Sequence, residues 1–474
     1  MAEPAGAEPA GYRIFRWLAR FLAGLFYRRV EVAGLERVPL SGPLVVAANH
    51  HQGLMDGILL TAALPRRLRP IAKAPLFRYP VIGQIARLAG AIPVHRRQDS
   101  GGSAADNQAM FGAAQSALGQ GEAILIFPEG VSQPEPALMP LRTGAARLVL
   151  GSDWGSDWGP DRELRRLAAT TLLPPTTLLP VGLMFHEPGT FRVGTALVLI
   201  GDPVATGDLE ALAPGAADEA VRQLTERLGE ALERLIVLAR DRHTLELVHA
   251  ALAIWREEMP DAAREPKARA AWRQRAARAD QYLAAAEPAR LAALRGRLER
   301  YTKDLDLAGL TDRDLSDGYR PAAVLRYALR EGLALALGLP LALWGVLNHV
   351  APYQATRLAV SAIKPEADVL ATYKVLAGLV LFPLCWALEG WTAWRLGGGP
   401  LLAVFLIALL PTGFFALSWT ERLHRVRREA RGLLTVLVDR DLRAHLLARR
   451  RAIMTEFQDL LRLVPAPVLQ EPAP

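Results

Sequence analysis

The chain has 474 residues, of which 51% are hydrophobic, with one cysteine and a net charge of +8. A single cysteine, Cys385, excludes an intrachain disulfide framework and a metal site built on cysteines. The length allows several domains, and the mean hydropathy of +0.14 indicates a mixture of soluble and apolar parts. In such a chain we expect the basic excess to face anionic lipid, and we expect no nucleic-acid partner.

Residues 1–28 contain a basic, aromatic-rich segment in which Arg13, Arg16 and Arg20 recur at helical spacing. We predict an amphipathic N-terminal helix that docks on membrane phospholipids. The alternative is a helix packed on the next domain with a solvated arginine face. The start, Met1-Ala2-Glu3-Pro4, has no basic region before an apolar core, so we expect no cleavable signal.

Residues 29–206 alternate short apolar runs with helical patterns, which predicts an α/β domain with a mixed sheet flanked by helices. A tandem duplication of Gly-Ser-Asp-Trp predicts a loop insert at 151–175. The predicted strands are Arg29–Val32, Pro43–Ala48, Arg69–Ala72, Ala91–His95, Ala123–Phe127, Thr177–Gly182 and Ala196–Ile200. The predicted helices are Gly57–Leu64, Pro80–Ala89, Ala104–Leu118 and Leu141–Leu150.

Residues 207–331 are rich in Ala, Leu, Arg and Glu with helical periodicity, and predict a helical arm. Its helices are expected at Asp218–Ala239, Leu245–Glu258 and Pro266–Tyr301. The arm contains no clustered polar side chains that suggest chemistry, so we expect a structural role.

Residues 332–420 hold three apolar runs, each about the length of a membrane-spanning helix: Gly332–Ala351, Val375–Trp394 and Gly398–Ser418. Arginines flank the first run before its start and the last run after its end, and the positive-inside rule places both flanks in the cytoplasm. We therefore predict two crossings of the cytoplasmic membrane, made by the second and third runs, with the first run re-entrant or interfacial. The α/β domain then lies on the cytoplasmic side, as does a basic helix with a Pro-rich tail at 421–474.

The residues best suited to chemistry follow the buried strand Pro43–Ala48. His50 and His51 lie in a polar turn, and Asp56 lies at the start of the next helix. Such a pair suits a general base and its orienting acid. Neither histidine shares a face with Asp56 on one continuous helix, because only residues three or four apart do. The chain must therefore fold back between them, and the spacing leaves open which histidine contacts the acid.

Two more predicted strands end in polar groups, and ligands of α/β sheets gather at strand ends. Arg96 and Arg97 follow the strand at Ala91–His95, and Glu129, Gly130 and Ser132 follow the strand at Ala123–Phe127. Paired arginines suit phosphate, and the Gly130 turn suits backbone donors to an oxyanion. Taken one at a time, each feature is more often a surface pair, a solvated face or an ordinary turn.

Together and in this order, these blocks resemble the glycerophospholipid acyltransferase family, which includes glycerol-3-phosphate and lysophosphatidic acid acyltransferases. The blocks that carry the resemblance are Asn49-His50 with Asp56, Gly90-Ala91-Ile92 with Arg96, Phe127-Pro128-Glu129-Gly130, and Leu179-Pro180-Val181-Gly182. The continuation Pro140-Leu141-Arg142-Thr143-Gly144 is similar to the branch with fungal-type glycerol-3-phosphate/dihydroxyacetone-phosphate acyltransferases and bacterial relatives with a longer C-terminal half.

The resemblance implies a role for each matching residue. His50 aligns with the general base of that branch, although the commoner family spacing selects His51. Asp56 aligns with the orienting acid, and Arg96 with the group that binds acceptor phosphate. The remaining matches, with Arg97 and Ser132 beside them, belong to acceptor binding: Glu129, Gly130 and Arg142, the last standing where the branch often has Lys. Three residues depart from the branch: His51, Gln52 and Gln133.

The implied reaction moves a fatty acyl group from acyl-CoA or acyl carrier protein to a hydroxyl of glycerol 3-phosphate, dihydroxyacetone phosphate or lysophosphatidic acid in phospholipid biosynthesis. It needs no cofactor, no metal and no covalent acyl-enzyme. The open alternatives are a lysophospholipid acyltransferase that remodels lipids, and a catalytically silent membrane scaffold or lipid-binding protein. A third alternative is a metal-dependent hydrolase that uses His50, His51 and Asp56.

Overall fold

The computed structural model describes residues 8–78, 80–95, 104–133, 135–151, 175–186, 194–210, 217–237, 242–255, 266–312, 315, 321–366, 369–438 and 440–469. Most of the predicted loop insert, residues 152–174, lies outside these ranges. The first half of the chain forms a seven-stranded sheet in the order β1-β7-β6-β2-β5-β3-β4. Neighbouring strands are parallel except β6 and β7, which are antiparallel. The predicted fold class, an α/β domain with a mixed sheet flanked by helices, is confirmed.

All seven predicted strands are present, with shifted ends. They are β1 (Arg29–Ala33), β2 (Leu44–Ala48), β3 (Leu68–Lys73), β4 (Ile92–Val94), β5 (Ala123–Ile126), β6 (Thr177–His186) and β7 (Thr195–Ile200). The helices of this half are α1 (Ala10–Phe26), α2 (Leu54–Ala63), α3 (Pro80–Leu88), α4 (Ala104–Gly119) and α5 (Gly144–Leu150), with 3-10 turns at Leu35–Arg37 and Ala74–Arg78. Every residue of β2 is buried, because this strand lies between β6 and β5 with apolar clusters on both faces.

Helix α1 combines features of both predicted alternatives. It packs on the domain and buries six residues along one stripe: Tyr12, Phe15, Ala19, Leu22, Ala23 and Phe26. On its outer side Trp17 is 66% exposed and Ile14 is 62% exposed. A large exposed tryptophan beside solvated arginines suits a bilayer interface, so docking of this outer side on lipid remains a prediction.

The helical region begins with α6 (Gly207–Glu210), α7 (Ala217–Glu233), α8 (Arg242–Trp255), α9 (Pro266–Ala286) and α10 (Pro288–Ala308). Leucines of α7 join the apolar cluster of β2, α4 and α5, so this helix covers one face of the sheet. The prediction of one helix over Pro266–Tyr301 is wrong. The chain breaks at Glu287, with φ −136° and ψ 56°, and α10 starts at Pro288. Proline has no amide hydrogen to donate, and it disfavours helical angles in the residue before it.

The apolar runs lie in two long helical elements, α11 (Pro321–Ile363) and α12 (Leu370–Val438). Within the described residues, Leu325–Ile363 and Leu370–Gly432 have the length and composition to cross a membrane. The first run continues as helix through its whole length and does not turn back. Gly398, with φ 62° and ψ −154°, divides α12 into residues 370–397 and 399–438.

Two sets of contacts hold these segments together. Around the break at Gly398, a Cβ atom built on Gly390 would meet Leu402 and Phe405, so the second and third runs fold back on each other as a helical hairpin. The first and third runs are antiparallel. Glu331 pairs with Arg422 at 2.5 Å, the Trp419 indole N–H donates to the Leu335 carbonyl at 3.0 Å, and Gly345 abuts Thr412.

The C-terminal helices, α13 (Arg440–Leu463) and α14 (Ala466–Leu469), return to the arm. Leu446 and Ile453 of α13 are buried in the same apolar cluster as leucines of α8, α9 and α10. Polar contacts reinforce this packing: the Arg450 guanidinium bonds Asp312 and the carbonyl of Ile254. The basic helix predicted at the C-terminus is therefore one wall of the helical arm.

Candidate active site

The site starts where β2 ends. Asn49 is 1% exposed, and its side chain forms two hydrogen bonds with the backbone of Leu183 in β6. Its amide nitrogen donates to the Leu183 carbonyl at 2.9 Å, and its oxygen accepts from the Leu183 N–H at 2.6 Å. This pairing ties the end of β2 to the neighbouring strand, so the turn that follows has a fixed starting point.

The turn closes on Asp56, which lies in the first turn of α2 and is 0% exposed. One of its oxygens, Oδ2, accepts three hydrogen bonds. The backbone N–H groups of His51 and Gln52 donate at 2.7 Å and 2.8 Å, and the His50 ring nitrogen Nδ1 lies at 2.8 Å. Three donors on one buried carboxylate oxygen hold the turn in the folded-back shape that the spacing predicted.

The two adjacent histidines point in different directions. The His50 ring contacts Asp56 through Nδ1 and stacks on the Phe127 ring, with centroids 4.1 Å apart and planes 15° apart. The His51 ring instead places its Nδ1 2.9 Å from the Gln133 carbonyl and meets Phe185 edge-on. Of the two histidine rings, the one that contacts Asp56 is therefore that of His50.

The turn after β5 supports His50 from the other side. Glu129 is 3% exposed; one of its oxygens accepts the His50 backbone N–H at 2.7 Å, and the other accepts the Met139 N–H at 3.0 Å. Burial raises the pKa of Glu129, against the opposing effect of these two hydrogen bonds and of the nearby histidine charges. In this structure the Glu129 side chain bonds protein groups that shape the site.

Gly130 adopts φ 75°, a conformation that favours glycine, and the Arg142 side chain crosses directly above it. A Cβ atom at position 130 would lie 2.6 Å from the Arg142 Nε. The Gly130 N–H already donates to the Phe127 carbonyl at 3.0 Å, so that amide is engaged within the turn. The Arg142 backbone N–H donates to the Pro128 carbonyl at 2.8 Å, while its side chain is exposed beside the turn. Ser132, two residues on, is half-buried.

Arg96 and Arg97 lie outside the described residues. The strand they follow, β4, is part of the parallel series β2, β5, β3 and β4, whose carboxyl ends share one edge of the sheet. The last residue described before them is the half-buried His95. The topology therefore brings the chain before Arg96 to the same edge as His50 and Glu129.

Chemically, this arrangement suits proton transfer. A buried carboxylate on Nδ1 fixes the imidazole orientation and leaves Nε2 as the nitrogen that takes up a proton. Among the described residues, no group of three or more His, Cys, Asp or Glu side chains is arranged to hold a metal ion.

Sequence reasoning missed two residues of the site. Phe127 belongs to the Phe-Pro-Glu-Gly block, but nothing in that pattern indicates that its ring stacks on His50. Thr372, near the start of α12, bonds Leu54 and Gln52 in the turn between β2 and α2. It is 318 residues from Leu54 along the chain, so no local pattern signals this contact.

Two stretches of the chain match models of known protein families. Residues 29–179 match the Acyltransferase family model, and residues 278–466 match the model described as the glycerol-3-phosphate acyltransferase 2 C-terminal domain. The second match runs through α10, both apolar helices and α13. The family resemblance seen in the sequence motifs is thereby confirmed.

Among curated relatives, the chain is 31% identical to human 1-acyl-sn-glycerol-3-phosphate acyltransferase alpha over 145 residues, which is 31% of this chain and 50% of that protein. It is 23% identical to an uncharacterized acyltransferase of Schizosaccharomyces pombe over 78% of this chain and 66% of that protein. The chain thus spans about half the length of the first of these relatives. A solved structure, the 1-acyl-sn-glycerophosphate acyltransferase PlsC from Thermotoga maritima, is similar at 19% identity with a TM-score of 0.31, covering 46% of this chain and 78% of that one.

Proposed function

Because the chain carries an Acyltransferase domain followed by a glycerol-3-phosphate acyltransferase 2 C-terminal domain, we propose that it is a membrane-bound glycerolipid O-acyltransferase. It moves a fatty acyl group from a thioester, acyl-CoA or acyl carrier protein, to a hydroxyl of a phosphate-bearing glycerol acceptor. The observation that carries the proposal is the pairing of the His50 ring with the buried Asp56 at the end of β2.

In the proposed reaction His50 is the general base. Its Nε2 takes the proton from the acceptor hydroxyl while that oxygen attacks the thioester carbonyl carbon. The carbon–sulfur bond then breaks, and the thiolate leaves with the proton returned by the imidazolium. Asp56 stabilises the imidazolium charge, and general-base assistance of this kind contributes typically about 10²–10⁴-fold. The products are an ester and a free thiol, with no covalent enzyme intermediate.

Acceptor recognition rests on positive charge beside the base. Arg142 has an exposed side chain above Gly130, on the turn that contacts His50 through Glu129. We assign Arg142, with Arg96 and Arg97, to the acceptor phosphate, because forked guanidinium donors match phosphate oxygens. Glu129 and Gly130 act by shaping this turn, and Ser132 lies at its far end.

The proposed location is the cytoplasmic membrane, with the catalytic domain on its cytoplasmic side. The two apolar helices support membrane attachment by length and composition. The arginines that follow the third run, starting with Arg422, support the sidedness.

The proposal is tested with the full chain purified in detergent and reconstituted in lipid nanodiscs. Acyl-CoA and acyl carrier protein are offered as donors to glycerol 3-phosphate, dihydroxyacetone phosphate, lysophosphatidic acid and lysophosphatidylcholine, and lipid mass spectrometry reads the products. We expect transfer to one or more of the first three acceptors, and none from a His50→Ala preparation.

Other outcomes favour the alternatives. Transfer only to lysophosphatidylcholine supports a remodelling enzyme, and transfer to no acceptor from either donor supports a silent scaffold. Hydrolysis that stops on addition of a chelator supports a metal-dependent hydrolase.

A further inference from the structure

A single hydroxyl connects the start of α12, just before the second apolar run, to the turn between β2 and α2. The N–H of Leu54, the first residue of α2, donates to the Thr372 Oγ1 at 3.2 Å. The Thr372 hydroxyl in turn lies 3.4 Å from the Gln52 carbonyl, to which it donates. A hydroxyl can accept and donate at once, so Thr372 bridges both sides of the bend at Gly53.

The bend needs such a partner. The first N–H groups of a helix have no partner inside the helix, and the residue at the N-cap of α2 is Gly53, which has no side chain to cap it. Gly53 also adopts φ 55° and ψ −124°, away from helical angles. Thr372 therefore supplies from α12 the cap that the local sequence lacks.

Apolar packing holds Thr372 in place. Its neighbour Ala371 is 1% exposed and belongs to the core cluster beneath β2 and α2. One and two turns further along, Val375 and Leu379 pack against this cluster, and they line a small apolar cavity with Leu54 and Ile58 of α2. The start of the second apolar run is thus seated on the acyltransferase domain.

Thr372 contacts Gln52, and Gln52 also donates a hydrogen bond to Asp56. Gln52 donates its N–H to the Asp56 Oδ2 at 2.8 Å, and its carbonyl receives the Thr372 hydroxyl. The peptide group before Gln52 is held by Asp56, and the one after it by Thr372 together with the Met55 N–H, which donates to the same carbonyl at 3.1 Å. A change at Thr372 therefore reaches the acid that orients the His50 ring.

We propose that Thr372 is a positioning residue for the acyl-transfer reaction, through which the membrane region fixes the geometry of His50 and Asp56. This inference rests on the proposed function. It assigns the C-terminal domain a part in catalysis besides membrane attachment.

The test compares three variants of the full-length protein in nanodiscs. Thr372→Val keeps the branched shape and removes the hydroxyl, Thr372→Ser keeps the hydroxyl, and Thr392→Val is the matched control. Thr392 lies on the same helix α12, is exposed, and donates its hydroxyl to the Leu388 carbonyl of that helix at 2.6 Å.

We expect Thr372→Val to lower kcat by about 10- to 100-fold, because small displacements of catalytic groups cost up to about 10²-fold. The KM for the acceptor should stay within about two-fold of wild type, because the variant removes no substrate contact and so changes uniform binding little. Thr372→Ser should recover most of the activity, and Thr392→Val should match wild type. Loss of kcat in Thr372→Ser as well, or a change confined to KM, overturns the proposal.

Hydrogen–deuterium exchange of the peptide covering residues 50–58 gives a second readout that needs no activity. Exchange should be faster in Thr372→Val than in wild type and Thr392→Val, because the Leu54 N–H loses its acceptor. Unchanged exchange overturns the contact, and faster exchange with unchanged kcat overturns its role in catalysis. An inactive wild type overturns the proposed function instead, while exchange still decides whether Thr372 holds the turn.

Discussion

At the residue scale, one carboxylate oxygen of Asp56 organises both histidines in different ways. It accepts the backbone N–H of His51 and contacts the ring of His50. The His51 contact survives any change of its side chain except to proline, because it uses the backbone N–H, whereas the His50 contact is lost with the ring. Substitution of the two residues therefore separates turn support from proton transfer.

We expect His50→Ala to lower kcat by at least about 10²-fold, the lower end of general-base catalysis. His51→Ala removes the ring contact with the Gln133 carbonyl but keeps the amide bond to Asp56, so kcat should fall less than about 10-fold. Steady-state rates of the two variants at equal membrane content measure this. If His51→Ala is the inactive variant, His50 is not the base.

The buried Glu129 gives a prediction about pH. Its raised pKa means that the folded protein binds a proton there more tightly than the unfolded chain does. The resulting stability is present below the unfolded pKa and is lost as the pH rises through the folded pKa. A glutamine at this position does not titrate, so the melting temperature of wild type minus that of Glu129→Gln should be larger at mildly acidic pH than at neutral pH. A difference that grows with rising pH contradicts the assignment.

At the element scale, the turn after β5 depends on the close approach of Gly130 to Arg142. Gly121 has nearly the same backbone angle, φ 74° against 75°, but a Cβ atom there would meet nothing closer than 3.8 Å. The two glycines form a matched pair. Alanine at either position incurs backbone strain of about 1–2 kcal/mol, and only alanine at position 130 displaces Arg142.

We therefore expect Gly121→Ala and Gly130→Ala to lower the melting temperature by similar amounts. Only Gly130→Ala should raise the acceptor KM, by about 10-fold, equivalent to about 1.4 kcal/mol of lost binding. Thermal unfolding and acceptor titrations on the same preparations measure both effects. Equal KM values in the two variants would show that Arg142 does not bind the acceptor.

The elements themselves could mostly be predicted from the sequence. Every strand could be located from an apolar run bounded by Gly or Pro, because β-branched and apolar residues between turn residues typically form strands. The break before Pro288 was missed because Leu, Ala and Arg continue the helical period across it. The pairing of Glu129 with the His50 N–H, and of Thr372 with Leu54, could not be predicted, because hydrogen bonds between distant segments leave no periodic trace in either one.

At the scale of the whole molecule, the membrane region and the catalytic domain form a continuous structure. The ring of Phe21 on α1 meets Phe414 of the third apolar run at 5.9 Å, edge to face, and Ala371 lies in the core beneath β2. The sheet is therefore attached to the apolar helices from two directions, which sets its distance from any bilayer that those helices enter.

We predict that both ends of the chain lie on the cytoplasmic side. Protein with a tag at each terminus should lose both tags to protease added on the cytoplasmic face of sealed inverted vesicles, and neither in right-side-out spheroplasts. Detergent-opened vesicles serve as the control for tag accessibility. Protection of one tag only would mean an odd number of crossings, so the first apolar run would then have to cross the membrane as well.

The position of α13 in the arm has a consequence for the order in which the protein forms. Helices α8, α9 and α10 leave the ribosome well before α13, yet Leu446 and Ile453 complete the apolar cluster that they share. The two apolar helices, α11 and α12, lie between α10 and α13 in the chain, and they must reach the membrane before α13 is made. The arm is thus left with one open side during translation until α13 is made, as expected where packing joins distant segments.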